Sequence, residues 1–151
     1  MIKLTRVVCP TDFSPTSSRA VDYAGTMADS FGAELVLLHA IPLMDYPLRS
    51  FGMSSSIEHI QEELQTRAME SLEVRSKKLK ETLPNINVRL LVRNGEPHEA
   101  TLECAKSENA DMIVMGTHGY TGITHALLGS SAEKVVRLAD CPVLTVRTPD
   151  E

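Results

Sequence analysis

Several features that would narrow this chain's function at once are missing from it. There is no block of basic residues, and the formal net charge is −5. Without a clustered positive field, nucleic acid and acidic membrane surfaces drop out as expected partners. No apolar run approaches the roughly 20 residues needed to span a bilayer. The opening Met1-Ile2-Lys3-Leu4-Thr5-Arg6 leads straight toward a strand-like run with no leader signature. These two absences make the cytoplasm the expected location. The three cysteines, Cys9, Cys104 and Cys141, form no Cys-x-x-Cys pair, and unpaired thiols suit a reducing compartment. If Cys9 ends a first strand and Cys141 precedes a parallel last one, they sit at opposite ends of a sheet. No disulfide can join them there. Finally, no Gly-Lys-Ser/Thr closes a Walker loop, and no Gly-x-Gly-x-x-Gly follows the first strand.

What is present has the length of one domain, 151 residues. A chain of this size buries roughly 70% of its unfolded surface and needs no staples. Strand-like runs are expected over 3–10, 34–41, 86–92, 111–115 and 143–147. The run Leu35-Val36-Leu37-Leu38 is continuously apolar, as in a sheet covered on both faces. Helices are expected between them. The first starts with Ser14 as N-cap and Pro15 at the first helical position, and stops at Gly32. Its expected core stripe is Ala20, Ala24, Met27 or Ala28, and Phe31. The longest pattern runs over 57–83, with Ile57, Ile60, Leu64, Ala68, Leu72, Leu79 and Leu83 on one face. Glu63/Arg67 and Glu73/Lys77 are spaced as i,i+4 pairs on the solvated side. A third helix opens at Glu96-Pro97, and a fourth covers 132–139 with Val135, Val136 and Leu138 as packing residues. Residues 42–56 show no period and hold several apolar side chains, which suits a loop folded over a ligand, a partner or the chain's own body. Alternating strands and helices imply a parallel sheet wound on both faces by right-handed crossovers.

The stretch that organises the chain lies between the fourth strand and the fourth helix. It reads Gly116, two residues, Gly119, nine residues, Gly129, then Ser130 and Ser131. Glycines let main-chain N–H groups approach an anion, by removing the Cβ barrier to positive φ. A helix start adds unpaired donors and the positive end of a dipole. The competing reading is that the glycines only shape a loop and that Ser130 with Glu133 forms a capping box. The stretch 116–131 contains no Lys or Arg, so an anion there would be held by peptide groups and a metal ion. His118 and His125 lie in the loop without the spacing of a metal pair. His39 reads as a satisfied core histidine, and His98 as an exposed one at a loop edge.

This spacing resembles the ATP-binding signature of universal stress proteins. Val7-Val8-Cys9-Pro10-Thr11-Asp12-Phe13-Ser14 and Cys141-Pro142-Val143-Leu144-Thr145-Val146 carry the likeness to both ends of the chain. The resemblance implies an α/β fold: one doubly wound domain over 1–151, a five-stranded parallel sheet in order 3-2-1-4-5 and four helices. Strands 1 and 4 then flank the point where winding reverses, the usual ligand crevice. Met115 and Gly116 would lie against adenine or ribose, with Pro10, Thr11 and Ala40 shaping the base pocket. Gly119, Gly129, Ser130 and Ser131 would wrap the phosphates, and His118 or His125 could touch them, the alternative for either being an exposed loop histidine. Asp12 would accept from ribose hydroxyls or hold Mg²⁺ through water. The alternative for Asp12 is an Asx-type turn before Ser14. Ser131 is a mild departure, since relatives often carry an apolar residue there. The likeness also implies a homodimer through strand 5 (Val143, Leu144, Thr145, Val146). The expected role is an ATP-binding stress-response regulator with weak or no hydrolysis. A slow ATPase, or a dimeric interaction module with an empty pocket, is the alternative.

Overall fold

The computed structural model describes residues 1–43, 52, 54–119 and 128–148. Within them the order is β1 (Arg6–Pro10), α1 (Pro15–Phe31), β2 (Glu34–Ile41), α2 (Ser54–Thr82), β3 (Asn87–Asn94), α3 (Pro97–Ser107), β4 (Met112–Gly116), α4 (Ser130–Leu138) and β5 (Val143–Val146). All strand pairs are parallel, in the order β3-β2-β1-β4-β5. This is the α/β architecture and strand order expected above.

Alternation along each strand divides the core into two layers. Val7, Cys9, Leu35, Leu37 and Val114 pack with α1 and α2 residues such as Ala24, Leu72 and Leu79. Val8, Val36, Leu38, Ile113 and Met115 pack with Cys104 of α3 and Val135 of α4. Leu35 through Leu38 are fully buried because each face has a helix over it.

Local chemistry sets the boundaries of α1. Ser14 accepts from Ser17 N–H at 3.2 Å, and Pro15 needs no donor partner there. Gly32 ends the helix at φ 66, where its N–H reaches the Ala28 and Asp29 carbonyls. At the far end of the sheet, Asp111 accepts from Thr5 N–H, Thr5 Oγ1 and Arg6 N–H at 2.7–2.9 Å. Those bonds hold its carboxyl below the usual carboxylate range. Arg6 and Arg89 converge on Glu34, and Arg89 also pairs with Glu108, whose carboxyl it lowers. All three cysteines are free. Burial pushes Cys9 up to about 12 and Cys104 to about 11, so both stay as inert thiols.

Some expectations are corrected. α2 begins at Ser54, so the end of the expected 42–56 loop is helical; 44–51 and 53 lie outside the described residues. Phe31, the last residue of α1, is 58% exposed instead of core. Ile60, Val136 and Leu138 are likewise exposed. The i,i+4 pair Glu63–Arg67 forms. Among the described residues no Glu73–Lys77 pair is made.

Candidate functional site

Winding reverses between β1 and β4, which pair through Val7–Met112 and Val8–Ile113. The helices that follow them, α1 and α4, pack on opposite faces of the sheet, and a crevice opens beyond the strands' C-terminal ends. A cavity of about 390 Å³ occupies it, within the usual range for small-molecule sites. Every residue proposed from sequence lines it. Pro10, Thr11 and Asp12 come from the end of β1, and Ala40 from β2. Met115, Gly116, His118 and Gly119 follow from β4, and Gly129, Ser130 and Ser131 open α4. Two stretches separated by most of the chain thus share one rim.

The β1–α1 turn is held by a chain of short bonds. Thr11 N–H donates to the Leu38 carbonyl at 2.8 Å. Thr11 Oγ1 accepts from Phe13 N–H at 3.0 Å and lies 3.0 Å from Ser17 Oγ. Ser17 Oγ donates to the Ser14 carbonyl, so Thr11 is the donor of that pair. Asp12 Oδ1 accepts from Ser14 N–H at 3.0 Å. The Asx-type bond therefore forms, through Oδ1. The other oxygen, Oδ2, lies 2.3 Å from where a Cβ on Gly119 would stand. Turn bond and cavity wall are roles the same carboxylate fills together.

The glycines work by close approach. Among the described glycines, positive φ occurs at Gly32, Gly52 and Gly95, and none of the signature glycines is there. A Cβ on Gly116 would meet Thr16 Cγ2 at 2.9 Å and Ser17 N at 3.2 Å. On Gly129 it would meet the Thr117 carbonyl oxygen at 3.1 Å. The expectation of left-handed backbone at these positions is thus corrected.

The start of α4 is corrected too. Gly129, not Ser130, is the N-cap, with no side-chain cap bond, so the Ser130–Glu133 box does not form. Gly129 N–H is spent on the Thr117 carbonyl at 2.7 Å, and Gly129 O accepts from Glu133 N–H. Gly129 therefore closes the loop and does not offer its own amide to the cavity. The donors at this end are the N–H groups of Ser130, Ser131 and Ala132, which precede the first helical bond. The hydroxyls of the two serines stand beside them.

Ser17, Pro97, Thr117, Leu128 and Ala132 also line the cavity and were not singled out from sequence. For Ser17 a signal existed: it stands three residues after the Ser14 cap, in the turn facing Thr11. Pro97 opens α3 after the Asn94-Gly95 turn, at the same sheet edge. His39 is half-buried, with Nδ1 2.7 Å from the Thr11 carbonyl. The His98 side chain is only 15% exposed and lies 3.9 Å from Glu99, so the exposed reading is corrected. His125 lies outside the described residues. No lysine or arginine lines the cavity among the described residues. Among them, too, there is no group of three or more acidic, His or Cys side chains placed to hold a metal. Among the described residues no helix is long and apolar enough to cross a membrane.

The sequence model of the universal stress protein family matches residues 3–147. The chain belongs to that family. A universal stress protein of Thermus aquaticus is 38% identical over 138 residues, covering 90% of this chain and 93% of the relative. Universal stress protein MJ0531 of Methanocaldococcus jannaschii is 36% identical over 144 residues, 95% of this chain and 82% of the relative. The solved structure of MJ0577 from the same organism superposes with a TM-score of 0.81 at 27% identity, covering 99% of this chain and all of that one. A universal stress protein crystallised in complex with cAMP superposes at 0.68, also at 27% identity, covering 96% and 98%.

Proposed function

We propose that this universal stress protein is one nucleotide-binding domain over 1–151 that takes up ATP, with Mg²⁺, as a regulatory ligand in the cytoplasm. The observation that carries this reading is the convergence of Asp12 Oδ2 on the Gly119 backbone, in a cavity that the first turn of α4 also lines. Ser130, Ser131 and Ala132 N–H groups suit the phosphates, which gain from the helix dipole as well. Ala40, Pro10 and Met115 give apolar walls suited to a base, and Asp12 suits ribose hydroxyls or cation-bound water. A relative of the same fold crystallised with cAMP supports an adenine nucleotide as the ligand. Among the described residues no cationic side chain lines the cavity to stabilise a transferring phosphoryl group. That favours weak or no hydrolysis and a nucleotide that signals by occupancy.

The proposal extends to a homodimer through β5. Among the described residues this strand ends the sheet and pairs only with β4. Ile113 N–H donates to Pro142 O, and Thr117 N–H to Val146 O. By alternation, Leu144 and Val146 face β4, while the backbone groups of Val143 and Thr145 face the open edge.

The test is to purify the protein, denature it and seek released adenine nucleotide by mass, then titrate ATP against native protein and Gly129→Val. Tight binding lost in the variant supports the site. Absence of bound or bindable ATP would favour an interaction module with an empty pocket. Steady ATP turnover abolished by Asp12→Asn would favour the slow ATPase.

A further inference from the structure

Phe13 has a backbone that a bulky residue rarely adopts. Its φ is +65, in the left-handed region that the Cβ penalises. Strain of this kind persists only where surrounding contacts over-determine it, and it gathers at working sites. Here the contacts are explicit. The Phe13 ring stacks on His39 with centroids 4.7 Å apart and planes at 30°. His39 Nδ1 is 2.7 Å from the Thr11 carbonyl, which can only accept, so that nitrogen carries the hydrogen. Phe13 N–H returns to Thr11 Oγ1. The loop Thr11–Phe13–His39–Thr11 is closed.

The left-handed residue sends neighbouring side chains to opposite sides. Asp12 faces the first cavity, against Gly119. Phe13 and His39 face a second cavity of about 430 Å³, shared with Ile41, Pro42, Leu64 and Ala68. The stack is therefore part of the partition between the two. We infer that Phe13 and His39 are positioning residues that hold the Asp12 carboxylate at the mouth of the nucleotide site. They touch no ligand themselves. This rests on the nucleotide reading for its purpose, though not for its geometry.

The geometry has its own readout, the Ser14 amide, which is bonded to Asp12 Oδ1 at 3.0 Å. In ligand-free protein, His39→Ala is expected to speed Ser14 amide exchange about tenfold, a loss of protection equal to one net hydrogen bond. Amides of β5 are expected to be unchanged. Phe13→Gly accepts φ +65 without strain but lacks the ring, and is expected to loosen Ser14 in the same way, while Phe13→Tyr restores it. If ATP binds, His39→Ala weakens it about tenfold, and that loss vanishes in an Asp12→Asn background. Unchanged Ser14 exchange in both loosening variants, or an affinity loss of the same size in Asp12→Asn, overturns the inference. If wild-type protein binds no adenine nucleotide, the nucleotide reading falls, and Ser14 exchange alone decides the positioning role.

Discussion

Gly119→Ala separates binding from folding at the point where the two cavity-forming stretches meet. The added methyl carbon would stand 2.3 Å from Asp12 Oδ2, while ordinary contact begins near 3.4 Å. The carboxylate must retreat by about 1 Å, because an exposed side-chain end yields more readily than backbone. That retreat strains the Asp12–Ser14 bond, now 3.0 Å. A net hydrogen bond is worth about 0.5–1.5 kcal/mol, so Tm should fall by under about 6 °C for a chain this long. The effect on ligand is larger. A hydrogen bond accepted by a charged carboxylate contributes about 1.5–3 kcal/mol, so Kd for ATP should rise about 10- to 150-fold. Calorimetric titration and a thermal melt on the same preparation read both. Gly116→Ala is the contrast. Its Cβ meets the Ser17 amide nitrogen and the Thr16 carbonyl carbon at 3.2 Å, and neither backbone atom can retreat. It should cost about 1–3 kcal/mol of stability. An unchanged Kd in Gly119→Ala would mean that Asp12 plays no part in binding. A large Tm loss there would mean that the loop is constrained more tightly than its contacts indicate.

Chelation of divalent metal should abolish ATP binding measured by titration, because among the described residues no side-chain cation offsets the phosphates; binding unchanged in EDTA would refute the metal's role. Thr145→Pro removes an edge donor without breaking the β4–β5 ladder, so sedimentation should show monomer, and a persistent dimer would exclude β5 as the interface. Asp111 and Glu108 sit below their ordinary values of 3.8 and 4.5 because their charged forms accept bonds from Thr5, Arg6 and Arg89. Their stabilisation is complete above those values and fades as pH falls through the lowered ones. Asp111→Asn should therefore lower Tm at neutral pH and make its decline in acid shallower; a parallel decline would show that other carboxylates carry it.

Local chemistry was legible wherever it acts over a few residues. Ser14, Pro15 and Gly32 bound α1 as read, because capping and left-handed termination need only neighbours along the chain. Leu35 to Leu38 declared a doubly covered strand for the same reason. Failures arose where a third element decides. Val136 and Leu138 have helical spacing, yet α4 lies near the end of the sheet and only its Ala132–Val135 side meets the core. His98 looked exposed because its cover belongs to the fold, not to its own turn.

The glycine signature shows where such reading stops. Its spacing marked the corner where the cavity lies, but the physical reason for the glycines differed from the expected one. Gly116, Gly119 and Gly129 are small because Thr16, Asp12 and Thr117 already stand where a Cβ would go. That constraint lies between segments and leaves no trace in local propensity. The residue with left-handed backbone at this site is Phe13, which carries no glycine mark at all. A bulky residue can hold such a backbone only if its ring finds a partner, and His39 comes from β2, paired with β1 in the sheet. The turn therefore takes its shape from the pairing of β2 with β1, and not from its own residues alone. The crevice is complete only where β2, β1 and β4 lie side by side.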